Sequence, residues 1–137
     1  MPKQSKQLTE IPPRYSGWRH LFAATQYSFG GLKRLMQESA FRQELLLLPG
    51  VLILHLLFSA EPIVLVLSVV LFLLLIAIEA VNTAIECLVD HLSPEWAEFA
   101  KHAKDLGSFA VFCLLLANGL LAGFSVISAF ASSGAAL

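Results

Sequence analysis

Charged residues are scarce in this chain of 137 residues: Asp, Glu, Lys and Arg together make up only 14% of it. A soluble domain has about 25% charged residues. Hydrophobic residues account for 57% of the chain, and the mean hydropathy is +0.73. The net charge of −1 gives no sign of the basic surface that binds nucleic acid. The composition therefore predicts a membrane protein, and the length favours one compact unit.

Cysteines are few, and the common nucleotide-binding motifs are missing. Cys87 and Cys113 lie in apolar sequence without a CxxC motif, so we expect buried packing residues rather than a disulfide or a metal site. The chain has no GxxxxGK[ST] loop and no protein-kinase motif set. A nucleotide site would have to be assembled from helix ends and side chains.

Three apolar runs predict membrane-spanning helices over about residues 41–60, 62–90 and 105–130. Pro49 and Gly50 are candidates for a kink in the first span, since neighbouring helices tolerate such residues in a membrane. Gly119 and Gly123 have the GxxxG spacing that lets helices approach closely. His55 stands alone in an apolar run, and we interpret it as a packing residue rather than a ligand.

Apolar residues recur every three or four positions over about residues 16–36, which predicts an amphipathic helix in the membrane interface. Gly30 and Gly31 are expected to interrupt this surface helix. Ser93 and Pro94 are expected to cap and begin a helical segment between the second and third spans. The predicted fold class is all-α, with one membrane domain over residues 15–131, a disordered tail over 1–14 and a short tail over 132–137.

Basic residues predict the orientation of the chain. Every Lys and Arg lies before the first span or at its very start, where Arg42 is the last of them, or else between the second and third spans, as Lys101 and Lys104 do. By the positive-inside rule, the N-terminus is cytoplasmic and the C-terminus is on the other, periplasmic side of a multi-pass membrane protein.

A polar stripe on the second span is the most informative feature of the chain. Glu79, Asn82, Glu86 and Asp90 occur in the run EAVNTAIECLVD, and at about 100° per residue they fall within about 80° of one another. A carboxylate at membrane depth costs at least a few kcal/mol unless a partner, cation or water compensates it. The stripe therefore predicts a site at the inner edge of the membrane.

The residue types of this stripe suit phosphoryl transfer. Two carboxylates about two turns apart can hold Mg²⁺, which takes its remaining ligands from water and phosphate. A third carboxylate in a partly apolar setting can act as a general base, and Lys104 can meet phosphate oxygens as a point charge. From the residues alone two other interpretations stay open: a packing network between helices, and a small proton-coupled transporter or channel subunit.

Three runs, ESAFRQE, EAVNTAIECLVD and AKDLGS, resemble the prokaryotic diacylglycerol kinase family in order and spacing, within a similarity over roughly residues 15–130. The resemblance implies a homotrimer with active sites shared between subunits, three spans each and an N-terminal surface helix. It further implies phosphorylation of a membrane lipid alcohol by MgATP at the cytoplasmic face of the inner membrane. The AFRQE run favours diacylglycerol, which gives phosphatidic acid, over undecaprenol, the acceptor of the family's other branch.

The resemblance also implies roles for individual residues. Glu79 matches the catalytic base, and Glu38 and Glu86 match the metal-binding glutamates. His102 departs from the family's usual Arg, and His20 takes the place of a basic residue of the surface helix, beside Arg19. The residues that match nucleotide-binding positions are His20, Tyr27, Glu38, Glu86, Glu95, Lys104 and Asp105. Those that match lipid-binding positions are Ala40, Phe41, Arg42, Gln43, Glu79, Asn82 and Ser108.

Overall fold

The computed structural model describes residues 17–134, with side chains described to residue 132, and over this range the regular structure is entirely helical. The elements are α1 (Trp18–Leu35), α2 (Ser39–Leu57), α3 (Pro62–Leu92) and α4 (Glu98–Gly134). The last three are long and apolar enough to cross a membrane. This arrangement confirms the predicted all-α fold with three spans. The predicted N-terminal tail and most of the predicted C-terminal tail lie outside the described residues.

The first compact unit of the chain ends at Arg34 and contains nearly all of α1. α1 runs without a break through Gly30 and Gly31, so the predicted interruption is wrong. A glycine inside a helix costs about 1 kcal/mol relative to alanine, which weakens a helix without necessarily ending it. Large apolar side chains on α1, such as Trp18 and Phe22, are exposed in this unit.

The second compact unit begins at Leu35 and contains α2, α3 and α4, with α3 packed chiefly against α4. Phe72 and Leu75 of α3 meet Val111 of α4 in its apolar core. α2 continues through Pro49 from Ser39 to Leu57.

The ends of the helices differ in part from the sequence-based expectation. α4 begins at Glu98 rather than near residue 105, because its polar first turns are also helical and carry the Lys101–Asp105 ion pair at i,i+4 spacing. Ser93 does not start a helix: its backbone N–H donates to Val89 at the end of α3, and its hydroxyl donates to the carbonyl oxygen of Glu95.

The turn after α2 is closed by backbone hydrogen bonds. Ala60 donates to the carbonyl of His55 at 2.9 Å, and Ser59 donates to the carbonyl of Leu56 at 3.2 Å. This is the Schellman pattern of helix termination, in which the residue after the C-cap takes a left-handed conformation. Ser59 occupies that position with a φ of 52°, where glycine is the usual residue.

A buried polar pair joins α2 to α3. His55 Nε2 lies 2.7 Å from Ser68 Oγ, and both side chains are fully buried. The interpretation of His55 as a packing residue is therefore confirmed. The predicted burial of Cys87 and Cys113 is wrong, since both are exposed in the single chain. An apolar helix that spans a membrane need not bury all of its faces within its own chain, so apolar flanking sequence did not imply burial here.

Candidate active site

A cavity of about 210 Å³ lies between the N-terminus of α2, the second half of α3 and the first half of α4. Glu79, Asn82 and Glu86 of the polar stripe line it from α3, and the start of α2 supplies Glu38, the N-cap residue, in an extended conformation. The residues that line the cavity are Glu38, Ser39, Ala40, Glu79, Asn82, Thr83, Glu86, Ser108 and Val111. Six residues that were predicted for the metal and substrate sites therefore share one cavity: Glu38, Ala40, Glu79, Asn82, Glu86 and Ser108.

The three carboxylates of the cavity differ in how far they are enclosed. Glu79 is only 4% exposed, whereas Glu38 and Glu86 are half-buried. Both of them contribute a repulsive field at Glu79. An enclosed carboxylate next to two more accessible ones is suited to accept a proton inside the cavity, while its neighbours face a ligand from outside.

Asn82 is held between α3 and α4. Its Nδ2 donates to Glu86 Oε1 at 3.2 Å, while its Oδ1 is buried and has no hydrogen-bond partner among the described residues. The amide lies against Gly107 of α4, so closely that a Cβ atom on Gly107 would stand less than 3.0 Å from Oδ1 and 3.2 Å from Cγ. The Asn82 amide can occupy this position only because Gly107 has no Cβ atom.

Lys104 forms an ion pair with Asp90, the last member of the polar stripe. Asp90 does not line the cavity. Three residues of the stripe thus belong to the cavity, and the fourth is the ion-pair partner of Lys104. Glu86 adds to the negative field at Lys104. Asp105 instead pairs with Lys101 at 2.6 Å, and both side chains of this pair are exposed. A cation is therefore held beside the carboxylates of the cavity.

Comparison with known proteins decides the family. The model of the prokaryotic diacylglycerol kinase family matches residues 26–126, which include every residue that lines the cavity. The chain belongs to this family. A diacylglycerol kinase from Sinorhizobium sp is 51% identical over 114 residues, which are 83% of each chain. The diacylglycerol kinase of Haemophilus influenzae is 36% identical over 79% of this chain and 92% of its own, and that of Escherichia coli is 31% identical over 74% and 84%.

Not all the site residues predicted for this diacylglycerol kinase family member reach the cavity. Phe41 is fully buried and Gln43 is exposed, and neither lines it. Arg42 is also outside; its guanidinium donates to the carbonyl oxygens of Met36 and Gln37 in the turn before α2. Glu95 is exposed in the segment between α3 and α4. His20 and Tyr27 lie in the first compact unit, with exposed side chains on α1. Their predicted roles stay predictions.

Sequence reasoning about this kinase missed Glu44, the last residue of the AFRQE run. Glu44 is 5% exposed, its Oε2 has no hydrogen-bond partner within residues 17–132, and its carboxyl group repels that of Glu79. Thr83 was missed as well, although its position four residues after Glu79 puts it on the same helix face. For Glu44, the available signal was a carboxylate inside a span, the same signal that identified Glu79.

The donor set of the cavity fits Mg²⁺ bound together with phosphate. Within residues 17–132, no group of three or more His, Cys, Asp or Glu side chains is arranged to hold a metal ion by itself. Mg²⁺ commonly uses only one or two carboxylates and completes its shell with water and substrate phosphates. Glu38 and Glu86, which line the same cavity, offer such a pair.

Proposed function

We propose that this kinase-family enzyme transfers the γ-phosphoryl group of ATP to diacylglycerol and so forms phosphatidic acid. One observation carries the proposal: a nearly fully buried carboxylate, Glu79, shares a cavity with two more accessible carboxylates, in a chain whose relatives are named diacylglycerol kinase. Phosphoryl transfer depends almost entirely on positioning and on neutralising charge, and this cavity has groups for both.

In the proposed reaction Glu79 is the general base. The hydroxyl oxygen of the lipid bonds to the γ-phosphorus, its proton passes to the carboxylate of Glu79, and the bond to the leaving oxygen breaks to release ADP. Asn82 and Ser108, which line the same cavity, orient the hydroxyl group. The hydrogen bond from Asn82 to Glu86 supports this arrangement, because it connects a residue that orients the lipid hydroxyl to a proposed ligand of the metal.

Glu38 and Glu86 would hold Mg²⁺ in this proposal. The ion supplies neutralisation of the phosphate charge when it is bound. Lys104, beside Glu86, meets phosphate oxygens, which requires it to exchange its Asp90 partner for the nucleotide. His20, Tyr27, Glu95 and Asp105 remain the proposed further contacts to ATP, and Ala40, Phe41, Arg42 and Gln43 the proposed further contacts to the lipid.

The proposal includes a location and an assembly. The enzyme is placed in the inner membrane, with its N-terminus and the connection between α3 and α4 in the cytoplasm, where ATP is available. A homotrimer is also proposed. Large apolar side chains on α4, among them Phe112, Leu116 and Phe124, are exposed in the single chain and are available for lipid or for another copy. Cross-linking of the enzyme in bilayers tests the trimer.

Substitution of Glu79 by Gln tests the base. We expect the rate of phosphate transfer to diacylglycerol from labelled ATP in mixed micelles to fall by about 10²–10⁴-fold, the usual contribution of a general base. Glu61→Gln is the matched control, because Glu61 is an exposed carboxylate at the opposite end of α3. A Glu79→Gln enzyme with a rate near that of the control would remove Glu79 from the base role.

Substitution of the two accessible carboxylates tests the metal assignment separately. The Glu38→Gln/Glu86→Gln enzyme should need a far higher Mg²⁺ concentration for half-maximal rate, or lose turnover altogether, because the metal would lose its protein ligands. The readout is a Mg²⁺ titration of the rate at fixed ATP. An unchanged Mg²⁺ dependence would contradict this assignment while leaving the role of Glu79 open to its own test.

A panel of lipid alcohols tests the acceptor. Diacylglycerol and undecaprenol are offered with labelled ATP, and phosphorylation of diacylglycerol is expected to be the faster reaction. Preferential phosphorylation of undecaprenol would assign the other branch of the family. ATP consumption that does not depend on any lipid alcohol would refute the lipid kinase proposal and favour the proton-coupled transporter or channel.

A further inference from the structure

Two carboxylates of α3 act on the ammonium group of Lys104. The side chain pairs with Asp90, and Glu86 adds to the negative field at the same group. Asp90 follows Glu86 by four residues, so both lie on one face of α3, about 6 Å apart along its axis. Glu86 lines the carboxylate cavity, whereas Asp90 and Lys104 do not. Lys104 is therefore outside the cavity when it pairs with Asp90, and would reach into it to pair with Glu86.

The surface of α4 offers Lys104 no carboxylate at the spacing that brings side chains together. Residues three or four positions apart on a helix are neighbours. For Lys104 these positions are occupied by Ala100, Lys101, Gly107 and Ser108. Asp105 is adjacent in sequence and pairs with Lys101 instead. Lys104 therefore depends on α3 for its counter-charge.

Solvent exposure explains why Asp90 is the partner of Lys104. The side chain of Asp90 is 66% exposed and that of Lys104 is 39% exposed. Glu86 is half-buried, and its Oε1 already accepts a hydrogen bond from Asn82. An ammonium group that pairs in an enclosed site loses more of its hydration than one that pairs at the surface. Because exposed ion pairs contribute little free energy, the pair with Asp90 can still be exchanged for phosphate oxygens.

We propose that Asp90 is a positioning residue: it holds the ammonium group of Lys104 outside the cavity and so leaves the carboxylate of Glu86 open to the metal. The inference rests on the proposed function, in which Glu86 binds Mg²⁺ and Lys104 meets the phosphates. Without the charge of Asp90, Glu86 is the carboxylate of α3 whose field remains at Lys104. Lys104 then pairs with Glu86, and the metal has to displace an ammonium group before it binds.

Zero-length cross-linking locates this ammonium group in the full chain without nucleotide or metal. A carbodiimide joins a lysine and a carboxylate in contact through an amide bond, and mass spectrometry of the digested enzyme identifies the two residues. The wild-type enzyme should give a product between Lys104 and Asp90, and the Asp90→Asn enzyme a product between Lys104 and Glu86. The product between Lys101 and Asp105, which are 2.6 Å apart, should appear in both enzymes and serves as the internal standard.

The Mg²⁺ dependence of phosphate transfer to diacylglycerol gives a second readout. In the Asp90→Asn enzyme, the Mg²⁺ concentration for half-maximal rate should rise about two- to fivefold, the factor that corresponds to one exposed ion pair. The kcat at saturating Mg²⁺ should be retained. Asp90→Glu keeps the charge and should restore the wild-type Mg²⁺ requirement. Glu98→Gln is the matched control, because it removes the same charge from an exposed carboxylate of α4 that does not line the cavity.

Two results would overturn the role of Asp90: no product between Lys104 and Glu86 in the Asp90→Asn enzyme, or a Mg²⁺ requirement equal to that of the Glu98→Gln enzyme. A higher Mg²⁺ requirement without this product also contradicts the role, because the loss of charge alone would then account for the shift. A wild-type enzyme that gives the expected cross-links but transfers no phosphate to a lipid alcohol would instead refute the proposed function.

Discussion

Gly107 determines where the amide of Asn82 can lie, and Gly107→Ala is therefore a sharp test of the site. The new Cβ would stand well inside 3.0 Å of Asn82 Oδ1 and 3.2 Å from its Cγ, whereas ordinary contact begins at 3.4 Å. Because the helix backbones are fixed by their own hydrogen bonds, the side chain of Asn82 must give way. Its oxygen has to move by roughly 1 Å, which breaks the 3.2 Å hydrogen bond to Glu86.

The expected effect is on activity rather than on folding. A misplacement of about 1 Å near reacting groups can lower a rate by about 10²-fold. The loss of one hydrogen bond to a charged group destabilises a protein by about 1.5–3 kcal/mol, and the better helix propensity of alanine offsets about 1 kcal/mol of this. The Gly107→Ala enzyme should therefore remain assembled and unfold at nearly the wild-type temperature, with a rate of phosphate transfer about 10²-fold lower.

The assay is transfer of labelled phosphate from ATP to diacylglycerol, measured beside thermal unfolding in the same detergent. Gly123→Ala is the control on the same helix, since a Cβ at Gly123 would have no other described side chain or helix within 4 Å. A double-mutant cycle separates the contact from other effects: in an Asn82→Ala background, Gly107→Ala should cost little further activity, because the displaced group is gone. Equal rates for Gly107→Ala and Gly123→Ala would refute the reasoning.

Two further predictions concern the end of α2 and the start of α3, away from the candidate active site. Ser59→Gly should raise the free energy of unfolding by about 0.5–1 kcal/mol, because Ser59 has a φ of 52° and glycine adopts this conformation without steric strain; Ser59→Ala, which cannot relieve the strain, should show no such gain. Ser68→Ala should lower the free energy of unfolding by about 0.5–2 kcal/mol, because it leaves Nε2 of the buried His55 without its partner. The double variant His55→Leu/Ser68→Ala should recover most of this loss, and a failure to recover would mean that the pair contributes more than its hydrogen bond.

Periodicity and hydropathy were sufficient for the architecture. The second span was expected over residues 62–90, and α3 runs from Pro62 to Leu92. The start of α4 was misplaced because hydropathy reports which part of a helix suits the membrane, not where the helix begins. Charged residues such as Lys101 and Asp105 continue the helix by pairing along its surface, which an apolar window cannot detect.

The part of the candidate site that lies on one face of α3 could be predicted from the sequence. Glu79, Asn82 and Glu86 share a cavity because they share a face of α3, and this follows from their spacing. The contact between Asn82 and Gly107 and the burial of Glu44 depend on how α2 and α4 pack against α3. Spacing within one helix contains no information about that packing, so these features required the three-dimensional structure.

The length of α4 links the lipid bilayer to the proposed nucleotide contacts. With 37 residues, α4 is about 56 Å long, nearly twice the hydrocarbon thickness of about 30 Å. Helices adjust to bilayers of different thickness by tilting. Lys104 is about 18 Å along the axis from the middle of α4, so a tilt change of about 10° carries it sideways by about 3 Å, the length of a hydrogen bond. In the proposed site, the thickness of the membrane would therefore shift Lys104 relative to the phosphate donor.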